Sequence, residues 1–310
     1  MTLPTNDQLS KVLQILMGAD TTAPTFREYG LRALELTSQN RTHFSQSEDI
    51  QRYKTLCKHF GDMELNKITP SIILEWQSLS PFAPKTIRNY RGTLNIILNM
   101  ALCDGYIFSN PLTATKPPKK RLKEVKIFTM EEINALLSAT SGQFHNILQF
   151  NLTMGLRGSE VVALKWNDVS FSDGTVSVLR RIREGEEAQP KGDKQRVVTL
   201  MPQAKEALLK QWELTNGMEY IFNTNKGTPY TKQDTLTNRL RKLCINIGID
   251  PRGMHTIRKT ANTLYKQQGM NSAWILQQLG HSSEEVNNNH YTGTINLSKQ
   301  SIEQFGNIGF

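Results

Sequence analysis

A short basic segment, residues 116–127, divides this sequence into two parts with different patterns. It contains Pro117 and Pro118 in succession, which the interior of a helix or a central strand does not tolerate, and most of its other residues are Lys or Arg. This composition predicts an extended linker, and its charge favours contact with the phosphate backbone of DNA. An ordinary solvated linker and a nuclear-import signal are the alternatives. With 310 residues, the chain is long enough for a domain on each side of the linker to bury its own core.

Residues 25–115 have the pattern of a small all-helical domain. Apolar residues recur there at helical spacing in several bursts, and Gly61, Pro70 and Gly105 separate these bursts. The pattern predicts four or five helices, preceded by a short N-terminal extension over residues 1–24.

Residues 128–310 predict a mixed α and β domain. Thr129 and Glu132 have the spacing of a capping box at the start of its first helix. Residues 174–179 and 196–200 alternate and carry β-branched side chains, so they predict two strands of a small sheet. Helices are predicted over 144–153, 159–166, 203–214, 231–247, 256–268, 272–279 and 283–290. The expected fold class is therefore mainly α with a small β-sheet, in which an all-helical N-terminal domain precedes an α+β C-terminal domain with a tail.

The net charge of +9 belongs almost entirely to the linker and the C-terminal part. A basic surface suits a polyanion such as DNA, although it can also serve solubility alone. No stretch approaches the length of a membrane span, and the N-terminus lacks the basic start and apolar core of a signal peptide, so we expect a cytoplasmic protein without membrane contact. Cys57, Cys103 and Cys244 are far apart and are predicted to be buried thiols in a reducing compartment.

Six residues of the C-terminal part have the chemistry of a phosphodiester-cleaving site. A tyrosine hydroxyl is a poor nucleophile near neutral pH, and it can displace an alcohol from a phosphodiester only where fixed positive groups meet the charge that builds on the phosphoryl oxygens. The sequence supplies five donors followed by one such hydroxyl, in the order Arg157, Lys191, His255, Arg258, His281 and Tyr291. A separation of three residues places His255 and Arg258 on one helical face.

Local patterns place two of these side chains at helix ends. Gly155 permits a tight bend before Arg157, and Ser159 is predicted to cap the helix that follows. Backbone amides at such a helix entrance also favour an anion. His281 follows Gly280, which is a predicted helix stop.

Five sequence blocks resemble the tyrosine recombinase (phage integrase) family. In chain order, they are Gly-Leu-Arg-x-Ser-Glu at 155–160, Lys-Gly-x-Lys-x-Arg at 191–196, His-x-x-Arg at 255–258, Leu-Gly-His-Ser at 279–282 and Tyr291. Each block alone is a weak pattern, but together and in the family order they form a specific signal over roughly residues 25–300. The interval from His281 to Tyr291 is one residue longer than the commonest spacing of the family.

The resemblance implies a site-specific DNA recombinase that works as a homotetramer on double-stranded DNA at specific recombination sites. Tyr291 would attack a DNA phosphate, form a 3'-phosphotyrosyl bond and release a 5' hydroxyl, and two such exchanges would pass through a Holliday junction. The phosphotyrosyl bond conserves the energy of the cleaved linkage, so resealing needs no ATP. The histidines and cysteines lack metal-ligand spacing, and the sequence has no Walker-type loop, so we expect neither a metal nor another cofactor.

The resemblance also implies roles for the matching residues. Arg157 and Arg258 would hold the non-bridging phosphoryl oxygens. Lys191 is the expected general acid for the leaving 5' oxygen, with Lys194 as its rival. His255 would take the phenolic proton or hold a phosphoryl oxygen.

The remaining candidate residues have supporting roles. His281 would hydrogen-bond and pack beside the nucleophile, and Glu160 would orient a neighbouring side chain from a second layer. Lys194 and Arg196 are expected to contact the DNA backbone or solvent. The linker residues expected to bind DNA are Lys116, Lys119, Lys120, Arg121 and Lys123.

The most specific expectation is an integrase or excisionase of a mobile element, acting on the nucleoid with an accessory directionality factor as a candidate partner. A Xer-like chromosome or plasmid dimer resolvase and a non-catalytic DNA-binding regulator on the same scaffold are the alternatives. A type IB topoisomerase and a metal-dependent replication or conjugation enzyme are further rivals. The apolar residues of 292–310 predict a tail that docks on a neighbouring protomer, and a tail folded onto its own domain is the alternative.

Overall fold

A computed structural model describes residues 23–39, 41–119, 125–190 and 195–281. Its contacts divide the chain into two compact units, Met1–Leu122 and Lys123–Phe310. The division falls within the segment that the sequence predicts to be a linker.

The first unit is all-helical over its described residues, which confirms the predicted class of this domain. Its helices are α1 (Phe26–Leu36), α2 (His43–Phe60), α3 (Pro70–Leu79) and α4 (Pro84–Cys103), and 3-10 turns cover Leu65–Lys67 and Pro111–Ala114. Thr25 caps α1 through a capping box with Glu28. Pro70 and Pro84 stand in the first turns of α3 and α4, where a missing N–H breaks no helical bond.

A buried arginine ties the end of this unit to α4. The guanidinium of Arg91 donates to the carbonyls of Leu112 at 3.3 Å and Thr115 at 2.9 Å, and to the Thr115 hydroxyl at 2.9 Å. Arg88 donates to the carbonyl of Pro118 at 2.9 Å. These bonds fix the backbone that leads into the linker onto α4 as far as Pro118.

The second unit combines helices with short strands, which confirms its predicted α+β class. Its helices are α5 (Met130–Ser138), α6 (Gly142–Met154), α7 (Gly158–Val161), α8 (Pro202–Thr215), α9 (Asp234–Asn246), α10 (Met254–Gln267) and α11 (Ser272–Leu279). Its strands are β1 (Val169–Ser170), β2 (Thr175–Val178), β3 (Arg181–Arg183), β4 (Glu186–Ala188) and β5 (Arg196–Thr199). One antiparallel sheet has the order β1-β2-β5, with Val176 opposite Val198, and β3 pairs with β4 in a separate hairpin.

Helix α6 lies at the centre of the second core. It packs against α8 and α10, and Ile147, Leu148 and Phe150 are among its buried side chains. The sheet contributes Val176 and Val198 to the same core. The ends of α6 and α11 are thereby held by packed elements, and the candidate site is built at those ends.

One helix prediction is wrong in its cap and its length. The helix expected over 159–166 with Ser159 as its cap is α7, which covers only Gly158–Val161 and has Arg157 as its cap residue. The chain then forms a 3-10 turn at Trp166–Asp168. The helix predicted over 283–290 lies outside the described residues. Across the described part of the chain, no helix has both the length and the apolar character needed to cross a bilayer.

The three cysteines do not share one environment. Cys57 and Cys244 are buried as predicted, but Cys103 is exposed. Cys103 follows the buried Ala101 by two positions at the end of α4, which turns it to the opposite side of the helix.

Candidate active site

Arg258 of α10 is fully buried and joins the ends of two other helices. Its Nη1 donates to the carbonyl of Gly155 at 2.9 Å, and its Nη2 donates to the carbonyl of Leu279 at 2.6 Å. Gly155 ends α6, and Leu279 is the last residue of α11. Because a guanidinium keeps its proton at any physiological pH, a permanent positive charge is fixed between two helix C-termini, whose dipoles favour it.

The bend before Arg157 requires a glycine. Gly155 has a φ of 64°, in the left-handed region. A Cβ at this position would lie 2.7 Å from Cδ2 of Leu279 and 3.1 Å from Cβ of Ala261. This close approach brings Arg157, two residues later, beside the end of α11.

Arg157 bonds in two directions at the entrance of α7. Its Nη1 donates to Oε1 of Glu160 at 2.8 Å, and its Nη2 donates to the carbonyl of Gly280 at 3.2 Å. Its backbone N–H donates to Oε2 of Glu160 at 2.9 Å, so this carboxylate, and not the hydroxyl of Ser159, satisfies the start of the helix. The Arg157 side chain keeps 24% of its surface exposed, which leaves it reachable by an anion.

Glu160 is a buried, ionised carboxylate at the middle of the cluster. Burial raises its pKa, but the hydrogen bonds and charge of Arg196, followed by the charges of Arg157 and Arg258, lower the pKa to about 2. The carboxylate therefore carries its full charge throughout the physiological range.

Arg196 differs from its expected placement on the DNA backbone or in solvent. Only 8% of its side-chain surface is exposed, and its Nη1 and Nη2 donate to Oε1 and Oε2 of Glu160 at 3.1 Å and 2.9 Å. The physical reason is the buried charge of Glu160, which needs a cation that can reach both oxygens.

Three arginines bind the last carbonyls of α11. Arg196 donates through Nε to Gln278 at 3.4 Å, and the bonds from Arg258 and Arg157 go to the next two carbonyls, of Leu279 and Gly280. The final carbonyls of a helix have no partner within the helix and carry its negative dipole end. The end of α11 is therefore an anionic feature around which the cations gather.

His281 directly follows this helix end. Gly280 has a φ of 66° and ends α11, as the sequence predicted, and the N–H of His281 donates to the carbonyl of Leu276 at 3.0 Å. The His281 side chain is buried. Its backbone is thus held by the same helix end that the arginines bind.

His255 lies one turn before Arg258 on α10 and is part of the same charged region. It is exposed over part of its surface, yet desolvation by its surroundings, followed by the charges of Lys259, Arg258 and Arg157, lowers its pKa to about 4. The imidazole is therefore neutral at pH 7 in the protein without DNA, so it has one ring nitrogen that can accept a proton.

Several predicted site residues lie outside the described residues and have no structural description. They are Lys120, Arg121, Lys123, Lys191, Lys194 and Tyr291, together with the tail 292–310. Lys116 and Lys119 are described and exposed. The structure therefore brings together Arg157, Glu160, Arg258, His255 and His281, and adds Arg196 to them.

Gln278 is a site residue that the sequence reasoning missed. Its Nε2 donates to the carbonyl of Thr199 at 3.0 Å, and its Oε1 accepts the N–H of Thr199 at 3.0 Å, so one side-chain amide docks α11 on β5. Its position in the sequence could have indicated burial, because Gln278 stands between Ile275 and Leu279 on the apolar face of a short helix.

The arrangement can stabilise an anion of high negative charge. Three arginines face one buried carboxylate, so the cluster retains net positive charge where the local dielectric is low. Within the described ranges, no three or more His, Cys, Asp and Glu side chains are grouped as a metal ion would need.

The sequence over residues 126–295, which is more than half of the chain, matches the model of the phage integrase family. The protein therefore belongs to the phage integrase family. The helical first unit, the α+β second unit and the ordered blocks of the sequence agree with this membership.

Individual relatives show how far the similarity extends. The chain is 27% identical over 249 residues to the XerC-like tyrosine recombinase of Caldanaerobacter subterraneus, an alignment that covers 69% of this chain and 64% of that protein. It is 27% identical over 228 residues to the prophage integrase IntR of Escherichia coli, covering 65% of this chain and 56% of IntR. The chain thus spans less than two thirds of the length of either relative.

The fold is shared with a solved integrase. A lambda integrase tetramer bound to a Holliday junction matches with a TM-score of 0.72 at 17% identity, over 91% of this chain and 89% of the integrase chain. At this identity, the match describes the fold.

Proposed function

We propose that this protein is a site-specific DNA recombinase in which Tyr291 cleaves and rejoins DNA strands. The observation that carries the proposal is the cluster of Arg157, Arg258 and His255, in which the two arginines bind the end of α11, twelve residues before Tyr291 in the chain. A phenol needs such fixed cations to attack a phosphodiester. Membership in the phage integrase family supports the same reaction.

In the proposed cleavage step, Oη of Tyr291 forms a bond to the phosphorus, and the bond from phosphorus to the 5' oxygen breaks. The phenolic proton passes to His255, which is neutral at pH 7 in the free protein, and Lys191 protonates the leaving 5' oxygen. The product is a 3'-phosphotyrosyl bond and a free 5' hydroxyl. In the reverse sequence, a 5' hydroxyl of another strand attacks the phosphotyrosyl bond and regenerates Tyr291.

Arg157 and Arg258 differ in how much of their surface is exposed. Arg157, which is partly exposed, can hold a non-bridging oxygen directly with its forked donors. Arg258 has no exposed surface in the protein without DNA, so direct contact with the phosphate requires the surrounding atoms to move. Even without contact, its charge lies where the low dielectric strengthens its effect on the transition state.

The proposed partner is double-stranded DNA carrying a specific recombination site. We expect four protomers to exchange strands between two duplexes through a Holliday junction, as the fold shared with the lambda integrase tetramer on such a junction supports. Lys116 and Lys119 are exposed and are proposed to contact the backbone. The tail after Tyr291 is proposed to dock on a neighbouring protomer.

The proposed biological role is integration and excision of a mobile element, for which the similarity to a prophage integrase is the support. A Xer-like dimer resolvase is the second candidate, because the XerC-like relative has the same identity of 27%. Plasmids that carry the bound site distinguish the two roles. An integrase recombines two different attachment sites, whereas a resolvase recombines two copies of one site.

A suicide substrate tests the proposed reaction. Duplexes selected from a random-sequence library by the Tyr291→Phe variant would supply the site, and a nick placed beside the scissile phosphate would let the cleaved fragment diffuse away. Wild-type protein is expected to accumulate as a covalent adduct on this DNA. Binding without an adduct would instead indicate a regulator, and relaxation of supercoiled plasmid without crossover products would indicate a topoisomerase.

A further inference from the structure

Arg196 has no part in the reaction proposed above, yet it is the main partner of the site's buried carboxylate. It stands at the start of β5, and its two terminal nitrogens reach both oxygens of Glu160 at 3.1 Å and 2.9 Å. Its guanidinium also packs under the end of α11, because a Cβ at Gly280 would lie 2.9 Å from its Cζ. The position is therefore enclosed on two sides.

The carboxylate of Glu160 is fully bonded by two arginines. Each oxygen accepts one bond from Arg196, and each accepts one from Arg157, through Nη1 at 2.8 Å and the backbone N–H at 2.9 Å. Four accepted bonds match the roughly four acceptor positions of a carboxylate. A buried carboxylate that lost one arginine would have only half of these bonds to support its charge.

Because Arg196 and Arg157 share the carboxylate of Glu160, Arg196 affects which donors of Arg157 can bind a phosphate. Arg157 gives only Nη1 of its guanidinium to Glu160, because Arg196 supplies the other side-chain bonds. Without Arg196, Arg157 would be the only arginine hydrogen-bonded to Glu160, so more of the negative charge would act on Arg157, weaken its field toward an anion and loosen its orientation.

We propose that Arg196 is a positioning residue, which holds Glu160 as a fixed anion so that Glu160 fixes Arg157 at the entrance of α7, and that Arg196 does not contact DNA. The proposal rests on the proposed recombinase function, because Arg157 matters only if a phosphate binds beside it. A positioning role differs from a contact with the DNA backbone in two measurable respects. These are the salt dependence of DNA binding and the dependence of cleavage on Glu160.

The test is a double-mutant cycle of Arg196→Met and Glu160→Gln, measured by single-turnover cleavage of the nicked DNA and by DNA binding. Arg196→Met is expected to slow cleavage about 100-fold, as loss of an organised charge does, while the affinity for DNA changes by about twofold or less. In the Glu160→Gln background, the same substitution is expected to have almost no further effect, because the anion that Arg196 holds is absent.

The pH dependence of cleavage distinguishes a positioning role of Arg196 from a purely structural one, because a purely structural role would not change it. In the wild type, Glu160 remains ionised through pH 5.5–8, since its pKa is about 2. In Arg196→Met, burial acts without its strongest opposing cation, so the pKa of Glu160 rises and cleavage is expected to fall as the pH is lowered through this range. The double variant is expected to lack this added pH dependence.

Two further variants keep the test decisive if Arg196→Met folds poorly. Arg196→Lys retains the charge but loses the fork, and it is expected to cleave about tenfold more slowly than the wild type. Gln278→Met removes the two bonds between the Gln278 amide and Thr199 of β5 without touching Glu160, and it is expected to lower the melting temperature without changing the pH profile.

The proposal would be overturned by equal losses from Arg196→Met in both Glu160 backgrounds. It would also be overturned by a fall of about 0.9 in the slope of log K against log salt, the sign of a lost phosphate contact. A wild-type protein that forms no adduct would contradict the recombinase function instead. In that case, the role of Arg196 would be tested by measuring the same double-mutant cycle in thermal unfolding and the salt dependence of DNA binding.

Discussion

The Nη2 of Arg258 donates to the carbonyl of Leu279 at 2.6 Å, and this bond ties a buried cation of α10 to the last turn of α11. Arg157 and Arg196 bind the carbonyls on either side, so three cations from three separate elements share one helix end. His281 and the segment that leads to Tyr291 start at this end. In the proposed enzyme, the groups that neutralise a phosphate therefore also set where the chain departs toward its nucleophile.

Replacing Gly280 by alanine tests this shared helix end. Gly280 has a φ of 66°, and an added Cβ would lie 2.9 Å from Cζ of Arg196, so Gly280→Ala is expected to displace the guanidinium and reduce cleavage at least about tenfold. Gly269→Ala is the matched control, because Gly269 has a φ of 72° and no atom within 4 Å of the added Cβ. Both variants pay about 1–2 kcal/mol of backbone strain, and only the first touches the arginine cluster.

The measurement compares adduct formation with thermal unfolding for both variants. Similar falls in melting temperature, with loss of cleavage confined to Gly280→Ala, are the expected result. Equal cleavage by the two variants would show that the contact between Gly280 and Arg196 has no role in the reaction.

Arg258→Lys tests the buried bonds at the helix ends. A lysine cannot reach the carbonyls of Gly155 and Leu279 with two forked donors, so at least one of them loses its partner in a buried place. We expect the free energy of unfolding to fall by about 3 kcal/mol and cleavage to fall by about a thousandfold. Denaturant unfolding checks the first effect and the suicide substrate the second.

Arg241→Lys, at an exposed position of α9, is the control for Arg258→Lys and should change the unfolding free energy by less than about 0.5 kcal/mol. If Arg258→Lys were as stable and as active as this control, the buried bonds of Arg258 would be dispensable.

His255 is expected to titrate well below the usual range of histidine. Desolvation and the charges of Lys259, Arg258 and Arg157 lower its pKa to about 4, so the ring should remain neutral when the pH of the free protein falls from 7 to 5. In the unfolded chain, His255 is expected to take up a proton near pH 6.5. The stability that the lowered pKa contributes is therefore present above pH 6.5 and is lost as the pH falls toward 4.

An NMR titration of histidine ring protons measures this pKa, and the His255→Gln variant identifies the signal. Lys259→Gln should move the pKa of His255 upward, because it removes the largest of the three charges that lower it. An unshifted pKa near 6.5 in the folded protein would mean that the arginines do not act on this ring.

The linker lysines test the proposed path of the DNA backbone. Lys116 and Lys119 are exposed, and the backbone between Leu112 and Pro118 is held on α4 by Arg91 and Arg88. If each lysine contacts a phosphate, each Lys→Gln change should reduce the slope of log K against log salt by about 0.9. Lys→Arg at the same positions preserves the charge and should preserve the slope, whereas equal slopes for the Gln and Arg variants would remove the linker from the interface.

Features that depend on a few neighbouring residues could be predicted from the sequence. The capping box of Thr129 and Glu132 and the left-handed glycines Gly155 and Gly280 were predicted correctly, because the physical cause of each lies within one turn of chain. The mainly helical class followed from the spacing of apolar residues for the same reason. β1, β3 and β4 were missed, because two or three residues carry too little alternation to be recognised.

The partner of Arg196 could not be predicted, because it depends on the folded chain. Glu160 and Arg196 are separated by 36 residues, and nothing in the local sequence indicates that the Arg196 side chain turns inward. The cap of α7 was misassigned for a related reason. Ser159 has the usual chemistry of a cap, but the buried Glu160 is held by arginines in a position where it bonds the N–H of Arg157 first.

The most direct measurement of the proposed reaction is the mass of the peptide that becomes linked to DNA. Wild-type protein would be incubated with the nicked substrate in EDTA, digested with nuclease and protease, and analysed by mass spectrometry. We predict a 3'-nucleotide attached to Tyr291 and no adduct in the Tyr291→Phe variant, with the same yield whether or not EDTA is present. An adduct on another residue, a bond to the 5' phosphate, or no adduct on DNA that the protein demonstrably binds would contradict the proposal.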